Sequence, residues 1–442
     1  MFRRVLAAIA VAALTIVFAA CARVDETSTP DGQRQVIHVP GDAQTLAKAA
    51  KLVRAGGVIS IAPGTYDEQL LIDTPDVTVR GESRSETIIN GGGVRPYGVV
   101  AVADGVRVEN LTVTGATFYG VLFTGLHDEN GPSAPTADGY EHWDPEQFPP
   151  LERFLVDHVT AYNNGLYGIY AFNSRHGIIR DSYASGSADS GIYVGQCTAC
   201  DILVTGNVAE RNAAGFENSN ASDSVVITGN RFSGNRIGMT LLSSYQEAFT
   251  PQRSNQVIGN LVTDNNEPLA PAQANGAFAT GIGVSGGQDN VFERNLIAGH
   301  ERAGIIFTNT EDLPASGNHV SGNVFDANGV DVANTSAART PATANCVADA
   351  ASTVPAELFA QLSAACAGDA AAAAAAQAYT AELNTPPAPR GTSFKKVAPP
   401  RAQSDLPAGS SYPALPATVA MPDLAQFGVP DASFLVERAG TR

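Results

Sequence analysis

Two acidic residues, Asp189 and Glu217, stand out as a possible working pair in this 442-residue chain. Two carboxylates that flank a glycosidic bond are what hydrolysis of a sugar polymer requires. Tyr170, Phe172 and Tyr193 lie in the same stretch, and aromatic rings stack on the apolar C–H faces of sugars. Arg175, His176, Arg180 and Arg253 add cations and a second kind of base. An elimination reaction would use such groups, a Tyr or His removing the ring proton and an Arg neutralising the adjacent carboxylate. Two polar segments carry more: 125–152 holds His127, Asp128, Glu129, Tyr140, Glu141, His142, Trp143, Asp144 and Glu146, and 243–256 holds Tyr245, Gln246, Glu247, Phe249 and Arg253. The acid and histidine cluster of the first segment is a candidate metal set or simply a solvated loop, pinned down by Trp143. No cofactor is expected, and a divalent metal stays open.

Five cysteines complete the reactive inventory. Cys197 and Cys200 form a Cys-Thr-Ala-Cys unit with no second CxxC and no HxxxH, so a zinc set is incomplete. With Cys346 and Cys366 they make an even number beyond the leader. In an exported chain that implies two disulfides, and proximity favours Cys197–Cys200 and Cys346–Cys366.

The chain begins with two arginines and an apolar run over 5–20, the pattern of a secretion signal. The run ends in Phe18-Ala19-Ala20-Cys21, which resembles the lipobox of bacterial lipoproteins, although Phe18 replaces the preferred Leu. The resemblance implies lipid on Cys21 and attachment to the outer side of the cell membrane; simple secretion is the alternative. Residues 22–35 read as a tether.

What must position these side chains is a repeat. A glycine followed by a short apolar run recurs at Gly98, Gly120, Gly168, Gly191, Gly215, Gly238, Gly281 and Gly304, with uninterrupted spacings of 22 to 24. The two wide gaps match the segments 125–152 and 243–256, which are therefore insertions. Asparagines five apart recur as Asn207/Asn212, Asn230/Asn235, Asn260/Asn265 and Asn323/Asn328, with variants His158/Asn163 and Asn295/His300. Strand-like text with this period predicts a solenoid of short strands. The glycines and asparagines are read as corner residues, Asn tolerating left-handed backbone and stacking its amides from rung to rung. Alternation along a strand puts Val121, Ile169, Ile192, Phe216, Met239, Ile282 and Ile305 inside. It puts Leu122, Tyr170, Tyr193, Glu217, Thr240, Gly283 and Ile306 outside, so Tyr170, Phe172 and Tyr193 would line an exposed groove walled by the insertions.

The phrases "VTGNVAERNAAGFE", "ITGNRFSGNRIGMT" and "VSGNVFDANGVDVA" resemble the parallel β-helix repeat of the pectin-lyase-like superfamily and of NosD-type periplasmic proteins, over about 36–333. "TLAKAAKLVRAGGVISIAPGTYDEQLLI" is similar to the opening of such solenoids, implying a helical cap near 45–54 and first rungs up to 97. The implied fold is all-β, a right-handed parallel β-helix. The resemblance assigns no reaction. Trp143 is not part of a WxDH-type segment, Asn309-Thr310-Glu311-Asp312 matches a polygalacturonase motif only superficially, and Asp144-Pro145-Glu146 matches a DPHD motif only in part. The segment 334–385 reads as a cap with a helix near 357–367, closed by Cys346 and Cys366. The Pro- and Ala-rich 386–442 reads as an arm with little structure.

The overall balance agrees. Charged residues are 16 %, the net charge is −17, and Gly contributes 43 residues. Such a chain is a poor partner for nucleic acid and an unpromising helical bundle. The expectation is an exported β-helix that binds an extended polysaccharide, with processing of that polymer as a further option. The rival expectation is a NosD-like accessory or scaffold without catalysis.

Overall fold

The computed structural model describes residues 32–129, 131–133, 144, 146–375, 383–409 and 413–440. Each turn of the chain contributes one strand to each of three parallel sheets, of 12, 10 and 11 strands in chain order around the turn. The first sheet runs from Arg34–Val39 to Cys346–Val347, the second from Gly64–Tyr66 to Val324–Asp326, and the third from Leu70–Ile72 to Thr353–Val354. The molecule is a right-handed parallel β-helix: the period predicted a solenoid of short strands, and the family resemblance implied this fold. Its N-terminal opening is covered by the helix Leu46–Leu52, N-capped by Thr45, whose hydroxyl accepts from the Lys48 N–H. The C-terminal end is covered by the helix Leu358–Cys366.

Alternation gave the inside correctly. Val121, Ile169, Ile192, Phe216, Met239, Ile282 and Ile305 are register partners in succession and are all fully buried in one continuous core. Both disulfides form as expected, Cys197–Cys200 and Cys346–Cys366.

The corner residues work differently from the expectation. The stacked asparagines are not left-handed. Where a left-handed residue is needed, the residue before them supplies it: Gly206, Gly229 and Gly259 have φ of +66°, +61° and +65° and precede Asn207, Asn230 and Asn260. The asparagines themselves stack at two corners rather than one. Asn207, Asn230, Asn260, Asn295 and Asn323 form one ladder, each Nδ2 donating to the next Oδ1 at 2.9–3.0 Å. Asn212, Asn235, Asn265, His300 and Asn328 form the other. A third ladder, Asn255, Asn290, Asn318 and Asn345, was not read from sequence. The variant pair His158/Asn163 joins neither; Asn164 occupies the equivalent position and accepts from the Ala116 N–H.

The marker glycines also need correction. None of them has positive φ; they are glycine because of close approach. A Cβ on Gly215 would meet Gly238 O at 2.5 Å and Asn235 Nδ2 at 2.8 Å, and Gly191 and Gly238 are enclosed in the same way. The glycine column and the second asparagine ladder are therefore one packed unit.

The arm expected to lack structure has almost no helix or strand, yet it is seated on the solenoid. Arg84, only 1 % exposed, donates to Thr160 Oγ1, Val159 O and Asp181 O of the solenoid and to Ser404 O of the arm. The arm then returns: Val419 N–H donates to Asp201, Arg294 donates to Phe427 O, and Gly440 N–H donates to Glu210. Among the described residues no helix is long and apolar enough to cross a membrane.

Candidate functional site

The outward row of the third sheet is in the register expected: Leu122, Tyr170, Tyr193, Glu217, Thr240, Gly283 and Ile306 are successive partners. Its first half is not an exposed groove. Tyr170, Phe172 and Tyr193 are 4 %, 2 % and 2 % exposed and pack with Tyr119, Leu122 and Leu126 into a second hydrophobic cluster. The physical reason lies partly in the first insertion, whose described residues Leu126 and Phe148 pack against these rings. Aromatic side chains of this size gain more from burial than from standing in water. Trp143 and its neighbours 140–142, like Cys21, lie outside the described residues.

Arg175 and His176 are also not on this face. They sit on the first sheet, where Arg175 pairs with Glu152 and His176 with Asp201 and Glu152. Arg180 and Arg253 are likewise held, by Asp157 and Asp223. These arginines tie rung to rung and do not make the outer face of the third sheet basic.

Asp189 and Glu217 do come together. Ser190 Oγ donates to Glu217 Oε2 at 2.5 Å and lies 3.4 Å from Asp189 Oδ1, so these oxygens are within about 6 Å of each other. Glu247, from the second insertion, joins them; its Oε1 accepts a short hydrogen bond from the Tyr193 hydroxyl. Burial raises all three carboxyls. Asp189 is pushed up to about 6 and Glu247 to about 7. Glu217 is raised well above the usual range, by burial first and then by the field of Asp189. Among the described residues no guanidinium or ammonium contributes to any of the three. Asp189 and Glu217 nevertheless keep partial exposure.

Two further features flank this trio. Toward the N-terminal rungs, Tyr97, Tyr119 and Tyr167 stand one per rung, with ring centroids 6.4 and 5.7 Å apart and planes within 13°. Tyr167 is the member nearest the trio, since Glu217, Asp189 and Glu247 all raise its hydroxyl after burial does. This column was missed in sequence, although the signal was present: each tyrosine immediately precedes a glycine at the head of a repeat. Toward the C-terminal rungs the outer face opens into a cleft of about 290 Å³ bounded by Ile237, Thr240, Leu242, Gly283, Ile306 and Arg302. Thr240 Oγ1 and Thr280 Oγ1, both in this cleft, have no hydrogen-bond partner among the described residues.

The family model described as "Periplasmic copper-binding protein (NosD)" matches residues 67–278. Within that span the described residues do not offer a fitting copper set. Asp157, His158 and Asp181 are grouped, but Asp157 already accepts two bonds from Arg180 and contacts His158, and the cysteines are oxidised. Among solved structures, the chain is similar to the A-module of mannuronan C-5 epimerase AlgE6 from Azotobacter vinelandii (16 % identity, 68 % of this chain and 79 % of that chain, TM-score 0.48). It is also similar to an alginate lyase from Paenibacillus sp. str. FPU-7 (15 % identity, 63 % and 92 %, TM-score 0.39) and to pectate lyase Pel9A (14 % identity, 60 % and 76 %, TM-score 0.41). No curated protein matches. With three parallel sheets and stacked asparagine corners, the chain is a right-handed parallel β-helix, and its central rungs are similar to the NosD family.

Proposed function

We propose that this is an exported, lipid-anchored β-helix that binds an extended polysaccharide along the outer face of the third sheet and hydrolyses it with Glu217 and Asp189. The observation that carries the reading is the gathering of three carboxylates, from separate rungs and an insertion, beside an open cleft. Glu217, held protonated by its surroundings, is the proton donor to the leaving oxygen. Asp189, ionised above about pH 6, is the second carboxylate. A separation within about 6 Å suits direct attack on the sugar better than activation of an intervening water. Glu247 supports Glu217 through its field, and the Tyr193 hydroxyl fixes Glu247 by donating to it. Tyr97 and Tyr167, the part-exposed members of the tyrosine column, offer ring surface on one side of the cut, and the cleft receives sugar units on the other.

Hydrolysis is favoured over elimination or epimerisation because those reactions need a cation beside the substrate carboxylate. Arg175, Arg180 and Arg253 are engaged elsewhere, Arg302 of the cleft donates to Gly276 O and adds nothing to the field at the trio, and the trio itself repels an anionic ring. The substrate is therefore a neutral or weakly charged polymer at the point of cleavage. Attachment rests on Cys21 and the apolar run before it. A second reading, a NosD-like accessory protein without catalysis, is favoured by the family match over 67–278 and by the burial of Tyr170, Phe172 and Tyr193.

The test is a screen of the full chain in mild detergent against neutral and acidic polysaccharides. Binding is read by affinity electrophoresis, hydrolysis by new reducing ends and elimination by the ultraviolet absorbance of unsaturated ends. Reducing ends from a neutral polymer are expected, and unsaturated ends are not. Absence of binding to every polymer sinks the reading and leaves the accessory role.

A further inference from the structure

Gly283, in the outer row of the third sheet between Thr240 and Ile306, needs to be glycine neither for its φ nor for a close backbone approach. A Cβ built on it would meet only side-chain carbons, Ile237 Cδ1 at 3.3 Å and Thr240 Cγ2 at 3.7 Å. The marker glycines, by contrast, are each enclosed by a carbonyl of the next rung. What the missing side chain of Gly283 leaves is space, in the cleft of about 290 Å³ that it helps to line. The cleft begins at Thr240, the register partner of Glu217 and so about 4.8 Å further along the solenoid. Ile237, Leu242 and Ile306 make much of its wall apolar. Three polar atoms of its lining residues are buried without a hydrogen-bond partner among the described residues: Oγ1 of Thr240, Oγ1 of Thr280 and Nε of Arg302. Thr280 is only 1 % exposed. Buried polar groups are ordinarily bonded, so three unmet ones around one cleft point to a ligand that meets them.

We propose that this cleft is a subsite for an N-acetylated amino sugar, the unit beside the cut in a polymer lying along the third sheet. The subsite presupposes the polymer binding proposed above and names the sugar it takes. The Arg302 Nε–H can only donate, so it calls for an acceptor, while Nη1 of the same guanidinium already donates to Gly276 O. The threonine hydroxyls accept or donate, and the aliphatic walls call for an apolar group. An acetamido group supplies all of these: its carbonyl oxygen accepts from Arg302, its N–H donates to a threonine hydroxyl, and its methyl lies against Ile237 and Ile306. A plain hexose brings a hydroxyl to the apolar wall. A 6-deoxy sugar brings a methyl without a carbonyl, and an O-acetyl ester has no N–H. A uronate would place its carboxylate within a rung or two of Asp189, Glu217 and Glu247, where like charge disfavours it.

The experiment measures binding of matched sugars to the full chain in mild detergent, by isothermal titration and by saturation-transfer nuclear magnetic resonance. Tetra-N-acetylchitotetraose and cellotetraose share a linkage and differ only at carbon 2; N-acetylgalactosamine and galactose are a second such pair. The acetamido member is expected to bind roughly tenfold tighter or more, with the strongest saturation on its acetyl methyl. Gly283→Val places a good strand former where the cleft now lies, and is expected to abolish that saturation with the melting temperature retained. Arg302→Met is expected to erase the preference within each pair. If Gly283→Val does not fold, Arg302→Met and Thr240→Val carry the same test. Equal binding within both pairs, binding indifferent to these substitutions, or tighter binding of an oligogalacturonate than of either acetamido sugar overturns the proposal. Cleavage of a neutral polymer without any acetamido preference overturns it alone and leaves the hydrolytic reading standing. Acetamido preference lost in the variants, without cleavage, supports the subsite and removes the hydrolytic reading instead. Failure of every sugar to bind removes both.

Discussion

At the scale of single residues the account turns on proton affinity. A buried carboxyl with no cation beside it keeps its proton to higher pH, and that separates the roles of Glu217 and Asp189. Glu217→Gln keeps shape but removes the transferable proton, and a loss of roughly 10²–10⁴-fold in kcat is expected in a reducing-end assay. The rate of the native protein should fall as pH drops through about 6, where Asp189 loses its charge. Glu247 gives a separate prediction about stability. Its folded pKa, about 7, lies above the ordinary 4.5, so the stabilisation is complete below about 4.5 and is lost as pH rises toward 7. Glu247→Gln should flatten that slope, which is on the order of 3 kcal/mol across the window and visible in thermal melts at several pH values. The closeness of Asp189 and Glu217 was legible in sequence because their rung positions could be counted. The fate of Tyr170, Phe172 and Tyr193 was not, because alternation gives the face a side chain takes and not what an insertion later lays upon it. The role of Glu247 was hidden for the same reason: an inserted loop has no period from which to place its residues.

At the scale of elements, the rungs are held together by the asparagine ladders and the glycine column that packs against them. Gly215→Ala forces a methyl toward Gly238 O and Asn235 Nδ2, and a loss of roughly 1–3 kcal/mol or more is expected by chemical denaturation. His300 replaces asparagine in one ladder. It is fully buried and neutral, with Nε2 accepting from Asn265 and Nδ1–H donating to Asn328, and burial lowers its pKa to about 4. A folded pKa below the ordinary 6.5 means that stability is present above about 6.5 and lost as pH falls toward 4. His300→Asn should keep the ladder and remove this acid sensitivity, seen as a melting temperature that no longer drops over that range. The repeat itself was legible because glycine and asparagine recur at fixed spacing. Their division of labour was not. Spacing locates a corner, but whether a glycine is there for its φ or for its missing Cβ depends on the atoms of the next rung.

At the scale of the whole molecule, the C-terminal arm is part of the folded structure, seated on the solenoid. The arm crosses the rungs and returns, and the guanidiniums of Arg84 and Arg294 donate to its carbonyls. Composition showed a Pro- and Ala-rich segment without periodicity, and such text gives no hint of a seat, because the seat is made by solenoid side chains far away in sequence. Deleting 386–442 should uncover Arg84, whose burial already lowers its pKa to about 9, and should lower the melting temperature while the β-sheet circular dichroism spectrum persists. The same scale holds the central claim, that the chain works on a sugar polymer lying along the third sheet. The most direct test is the release of reducing ends from a neutral polysaccharide that the protein binds, measured for the native chain and for Glu217→Gln side by side. The account predicts release by the native chain, and binding retained but release lost in the variant. Equal release by both, or binding without release by either, contradicts it.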